Sequence, residues 1–205
     1  MKELDINTWD RKQHYKHFSN LKDPYFGITI PFNVTKTYQF AKDHKISFFG
    51  TYLHACMQAI NSVENLKYRI LDGKVMVYNT IHASATIIRK NKTFGFSFID
   101  YSENLETFLL NFEAEKNRIE NSNNLFPPKN GLDCIHCSAI PWSDFSGHKE
   151  PVSGLLESVP KLAFGKVKET NNNKIMNVAI NVNHALVDGY HLSLFSEMFQ
   201  KNLNK

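Results

Sequence analysis

"KIMNVAINVNHALVDGYH", residues 174–191, decides how the rest of the chain is read. Met176, Val178, Ile180 and Val182 alternate with Asn177, Asn181 and Asn183, the period of a strand with one buried face. If that strand runs to its end, His184 projects on the apolar side directly after Val182. Asp188 and Gly189 then make a turn-like pair. Beyond them Leu192, Phe195, Phe199 and Leu203 recur at helical spacing, which predicts a helix over about 190–203. A strand thus carries a histidine to its tip, just ahead of a helix. A neutral imidazole is what a general base needs. A core histidine followed by an ordinary Asp-Gly turn is the other reading this pattern leaves open.

Working outward, further strands are expected at 25–31, 74–78, 82–88, 94–99, 133–140 and 161–168, and this one at 174–183. Helices are expected at 7–19, 33–43, 49–64 and 103–120. Asn7, with Asp10 three positions on, would cap the first helix in an approximate capping box, and Ser102 would cap the helix at 103–120. Asp72-Gly73 marks a turn before the strand at 74–78. The fold class is α+β: residues 1–205 as a single domain, with a large mixed sheet flanked by helices.

Composition excludes several classes. Hydrophobic residues make up 42% of the 205 and charged residues 21%, which suits a soluble fold with a sizeable core. The net charge is +4 and no basic run of five occurs, so no nucleic-acid partner is expected. No apolar stretch approaches the ~20 residues of a membrane span. The polar N-terminus "MKELDINTWD" lacks the apolar core of a secretory signal, so a cytoplasmic location is expected. Cys134 and Cys137 form a C-x-x-C without a second pair. On an alternating strand they would face opposite ways, as reduced structural thiols. No metal-ligand cluster is visible.

H-x-x-x-D-G at a strand end near the C-terminus resembles the chloramphenicol acetyltransferase family and, taken alone, the wider CoA-dependent acyltransferases. "INTWDRKQHYKHF" (6–18) resembles that family's W-x-R-(K/R)-x-H-(F/Y) helix. "CSAIPW" (137–142) resembles its S-A-x-P-W segment, "FGKV" (164–167) its G-K-Y or A-K-Y stretch, and "YRILDGKVMVYNTIH" (68–82) its R-x-x-x-D-G strand entry. The matches come in the family's order along nearly the whole chain. The resemblance implies a two-layer sandwich and acetyl transfer from acetyl-CoA, as co-substrate, to a hydroxyl of chloramphenicol, an antibiotic-resistance activity. It implies a homotrimer with active sites at the subunit interfaces. His184 would be the general base, Ser138 the donor to the tetrahedral oxyanion, and Asp188 with Arg11 a structural pair holding the histidine loop. Lys166 would lie near the CoA phosphates, and Phe18, Tyr25, Thr93 and Phe94 would belong to the acceptor pocket.

Pattern alone reads several of these blandly. Ser138 is an ordinary strand serine, Arg11 a solvated helix residue, and Trp9 and Trp142 packing residues. The chain also departs from the family. Asn183 stands where the first histidine of H-H-x-x-x-D-G is usual. Ala163 stands where a hydroxyl residue usually holds a water near the oxyanion. The stretch after Trp142, "SDFSGHKEPVSGLLESVP", lacks the family's aromatic-rich pattern. The same chemistry on another hydroxyl acceptor, or a silent ligand-binding homologue, are the competing expectations.

Overall fold

The computed structural model describes residues 1–153 and 157–205. The opening stretch forms a long strand, and its period of two fixes the layers. Met176, Val178, Ile180 and Val182 are buried in the main core, together with Leu162, Phe164, Ile135 and Cys137 of the neighbouring strands. The strands are β1 (Lys2–Glu3), β2 (Tyr25–Asn33), β3 (Tyr68–Leu71), β4 (Lys74–Val77), β5 (His82–Ile88), β6 (Phe94–Phe96), β7 (Cys134–Ala139), β8 (Lys161–Thr170) and β9 (Asn173–Asn183). The helices are α1 (Lys12–Phe18), α2 (Thr35–Asp43), α3 (Phe48–Ser62), α4 (Leu105–Glu120) and α5 (Gly189–Leu203).

Six strands make one sheet in the order β2-β9-β8-β7-β5-β6. β7 runs parallel to β5 and β8, and the other pairings are antiparallel, so the sheet is mixed. Helices cover one face. Leu53, Met57 and Ile60 of α3 and Leu192, Phe195 and Phe199 of α5 pack on the buried strand residues. The opposite face carries Asn177, Asn181 and Asn183, whose amides donate to carbonyls of Phe145, His148 and Glu157 in the segment that crosses it. β1, β3 and β4 form a small second sheet. Asp72 and Gly73, both at positive φ, close the β3–β4 hairpin, the backbone that a type I′ turn requires.

Element boundaries differ from the expectation where local polar contacts override periodicity. α1 begins at Lys12, not at residue 7, because Asp5 ties the chain into turns: its side chain accepts from the Asn7 amide, and its carbonyl from the Thr8 amide. Asn7 therefore caps nothing. α4 is capped by Asn104, which accepts from the Thr107 amide at 2.9 Å, whereas Ser102 accepts from Asn104 and sits outside the helix. Cys134 and Cys137 are buried free thiols on opposite faces of β7. Among the described residues no helix is long and apolar enough to cross a membrane.

Candidate active site

His184 is held by backbone on both sides. Its amide donates to Pro24 O at 2.9 Å, which continues the β2–β9 ladder by one step. The chain then turns tightly, with the amides of Leu186 and Val187 on the Asn183 carbonyl. Asn183 braces this turn, accepting from the Ala185 amide at 2.9 Å and donating to Glu157 O at 2.6 Å. The imidazole stacks on Phe18 at 4.0 Å and tilts against Phe26 at 4.4 Å, so it lies at the end of the apolar face. Its Nδ1 stands 3.1 Å from Val187 O. A carbonyl only accepts, so this contact puts a proton on Nδ1 and leaves the Nε2 lone pair open.

Arg11 reaches this turn from the start of α1. It donates to the His184 carbonyl at 3.2 Å and pairs with the Asp188 carboxylate. Asp188 also caps α5, accepting from the Tyr190 amide, and its other partner is His191, at 2.8 Å. Burial alone would raise the Asp188 pKa, but the His191 and Arg11 charges outweigh it and hold the carboxyl below its usual value. Asp188 thus binds Arg11, His191 and the helix amides, and fixes the backbone around His184 from outside the imidazole.

Ser138 lies on the other face of the sheet, in the first of two adjacent rows set by register. Thr86, Ser138, Ala163, Ala179 and Thr29 form one row, in which the Thr86 and Ser138 hydroxyls are 3.5 Å apart. Ser84, His136, Lys161, Asn181 and Gly27 form the next. Ser138 opens onto a cavity of about 1340 Å³, lined also by Phe94, His136, Trp142, Lys161 and Lys166. Lys166 sits at the bulge between Phe164 and Val167 and is exposed.

Two consequences follow for the residues singled out by sequence. First, His184 and Ser138 do not meet within one chain. Ser138 is level with Ala179, which puts it roughly 16 Å along the strands and roughly 10 Å across them from His184. They also point to opposite faces. Second, the expected acceptor set is dispersed. Phe18 is stacked on His184, whereas Phe94 lies in the Ser138 cavity. Tyr25 lines an adjoining hollow and donates to Val159 O at 2.8 Å. Thr93 binds Asn91 and Arg89 at the β5–β6 turn and lines neither space. Trp9 packs on Tyr15 and Tyr68. Trp142 is not a packing residue: it is 68% exposed at the cavity rim, because the chain leaves the sheet there.

His136, Lys161 and Glu157 escaped the sequence reading. Lys161 is buried, with its ammonium 2.5 Å from Glu157 and 2.6 Å from Pro151 O. The signal for His136 was present, since alternation puts it on the Ser138 face. The divergent stretch after Trp142 includes residues 154–156, which lie outside the described residues.

Comparison with known proteins agrees over the whole chain. The family model for chloramphenicol acetyltransferase matches residues 1–200. A chloramphenicol acetyltransferase of Bacillus pumilus is 28% identical over 199 residues, covering 96% of this chain and 90% of that protein. Chloramphenicol acetyltransferase 3 of Escherichia coli is 23% identical over 208 residues, covering 98% and 96%. A solved chloramphenicol acetyltransferase structure superposes with a TM-score of 0.85 at 28% identity, covering 98% of this chain and 99% of that one. With its strand-end histidine, mixed sheet and ordered motifs, the chain belongs to the chloramphenicol acetyltransferase family.

Proposed function

We propose that residues 1–205 form one catalytic domain that moves acetyl from acetyl-CoA to a hydroxyl of chloramphenicol, as a cytoplasmic resistance enzyme. The observation that carries this reading is the placement of His184, whose Nδ1 is fixed on its own Val187 carbonyl while Nε2 stays open. Nε2 takes the proton of the acceptor hydroxyl as its oxygen bonds to the thioester carbon. The carbonyl electron pair moves onto oxygen, where the Ser138 hydroxyl donates to it. When the carbonyl re-forms, the C–S bond breaks and the CoA sulfur recovers the proton from Nε2. Arg11 and Asp188 position the loop, and Lys166 offers a cation to the CoA phosphates.

This chemistry requires a second copy of the chain. Because Ser138 and His184 stand far apart on opposite faces, a complete site takes the imidazole from one subunit and Ser138 with its cavity from a neighbour. A head-to-tail ring satisfies that requirement at each interface, and a homotrimer is the assembly proposed.

Release of CoA thiol from acetyl-CoA tests the reading, with and without chloramphenicol, for wild type and His184→Ala. The expected result is turnover by wild type that depends on the antibiotic, and a loss of about 10³-fold in the variant, within the range for general-base removal. Wild-type turnover that survives His184→Ala would remove the histidine from the mechanism, and inertness toward chloramphenicol would remove that acceptor.

A further inference from the structure

The row beside Ser138 is polar where it meets the cavity. His136 is two residues from Ser138 on the same face, and Ser84 and Lys161 flank it in register. The segment crossing this face adds His148 and Glu150 to the same cavity. Lys161 is already neutralised by Glu157. The other groups are not matched. The His136 ring makes no hydrogen bond among the described residues. His148 Nδ1 is buried and has no partner. Glu150 stands 3.8 Å from His148 Nε2, beyond hydrogen-bond reach. An apolar ligand here would bury these groups unsatisfied, which is unfavourable for amides and hydroxyls and more so for a carboxylate.

Resting on the acetyltransferase reading above, we propose that His136 and Glu150 determine acceptor specificity, selecting alcohols that carry a second hydrogen-bond donor, a hydroxyl or an ammonium group. Two residues along a strand separate the rows by roughly 7 Å. That is the expected span between the hydroxyl being acetylated, beside Ser138, and the second donor, beside His136. Glu150 favours an ammonium over a hydroxyl through its charge.

The test is acetyl-CoA-dependent turnover of n-pentanol, the terminal pentanediol and the terminal aminopentanol, with chloramphenicol as reference. The five-carbon chain holds its polar ends apart by about the required span. Ester product is told from amide by its cleavage with hydroxylamine. The expected result is a kcat/KM for the aminopentanol and the diol at least about tenfold above n-pentanol, equivalent to ~1.4 kcal/mol. Glu150→Gln should erase the aminopentanol advantage over the diol through KM, and His136→Val should reduce both advantages. Neither side chain is part of the core, so the melting temperature should be unchanged in both variants. A wild-type preference near one, or a preference that both variants keep, would overturn the assignment while chloramphenicol turnover leaves the acetyltransferase reading standing. Inertness toward all four acceptors would overturn both.

Discussion

His184 presents a nitrogen, Nε2, that its own backbone leaves alone. The Val187 carbonyl takes Nδ1, two aromatic rings fix the plane of the imidazole, and Arg11 and Asp188 hold the turn without touching the ring. Ser138 is placed with equal economy by register: between Thr86 and Ala163 it stands in a row of small side chains, so nothing bulky crowds its hydroxyl. Ala163 brings no hydroxyl of its own to that row, and in the proposed mechanism Ser138 is the donor to the oxyanion. Ser138→Ala should therefore lower kcat by about 10²–10³-fold, the usual effect of removing one oxyanion donor. KM for acetyl-CoA should change little, since the interaction is made in the transition state. Steady-state kinetics with varied acetyl-CoA check this, and a KM effect without a kcat effect would make Ser138 a binding residue.

At the scale of elements, what the sequence revealed depended on how local the cause was. The period of two in β9 and the helical spacing in α3, α4 and α5 were legible because each depends on one buried face. The start of α1 was not, because Asp5 holds the preceding residues in turns and no side chain caps the helix, and the start of α4 was not, because two side chains of similar capping ability stand close together. At α4, Ser102 and Asn104 both precede the apolar run, and only backbone geometry decides between them. Asn104→Ala should cost about 1 kcal/mol of stability, as the loss of an N-cap does, and Ser102→Ala clearly less. Urea unfolding of the two variants measures the difference, and a larger cost for Ser102→Ala would return the cap to Ser102. The Arg11–Asp188 pair, 177 positions apart, was legible through the ordered motifs of the family resemblance. No periodicity could do that. Nor could it bring His148 and Glu150 of the crossing segment to the cavity beside His136, because that happens only when a loop folds back over the sheet.

At the scale of the whole molecule, the separation of His184 from Ser138 is decisive. A sheet is rigid across its strands, so no side-chain rotation carries His184 round to the face that holds Ser138, and local breathing does not close a gap of roughly 16 Å along the strands. If both residues act in one reaction, they come from different copies of the chain, and this has a genetic consequence. A chain with His184→Ala keeps a good Ser138 cavity, and a chain with Ser138→Ala keeps a good imidazole. Each variant alone is impaired at every site. Co-expressed, they assemble mixed rings in which some interfaces unite the intact imidazole of one variant with the intact serine of the other. For random assembly of equal amounts in a head-to-tail ring, about one quarter of the interfaces are complete. The mixed preparation should then show about one quarter of the wild-type rate, well above the sum of the two variants assayed separately. If the rate stays at that sum although mass spectrometry shows mixed assemblies, the interfacial site is excluded. His184 and Ser138 would then have to serve separate steps, or one of them none.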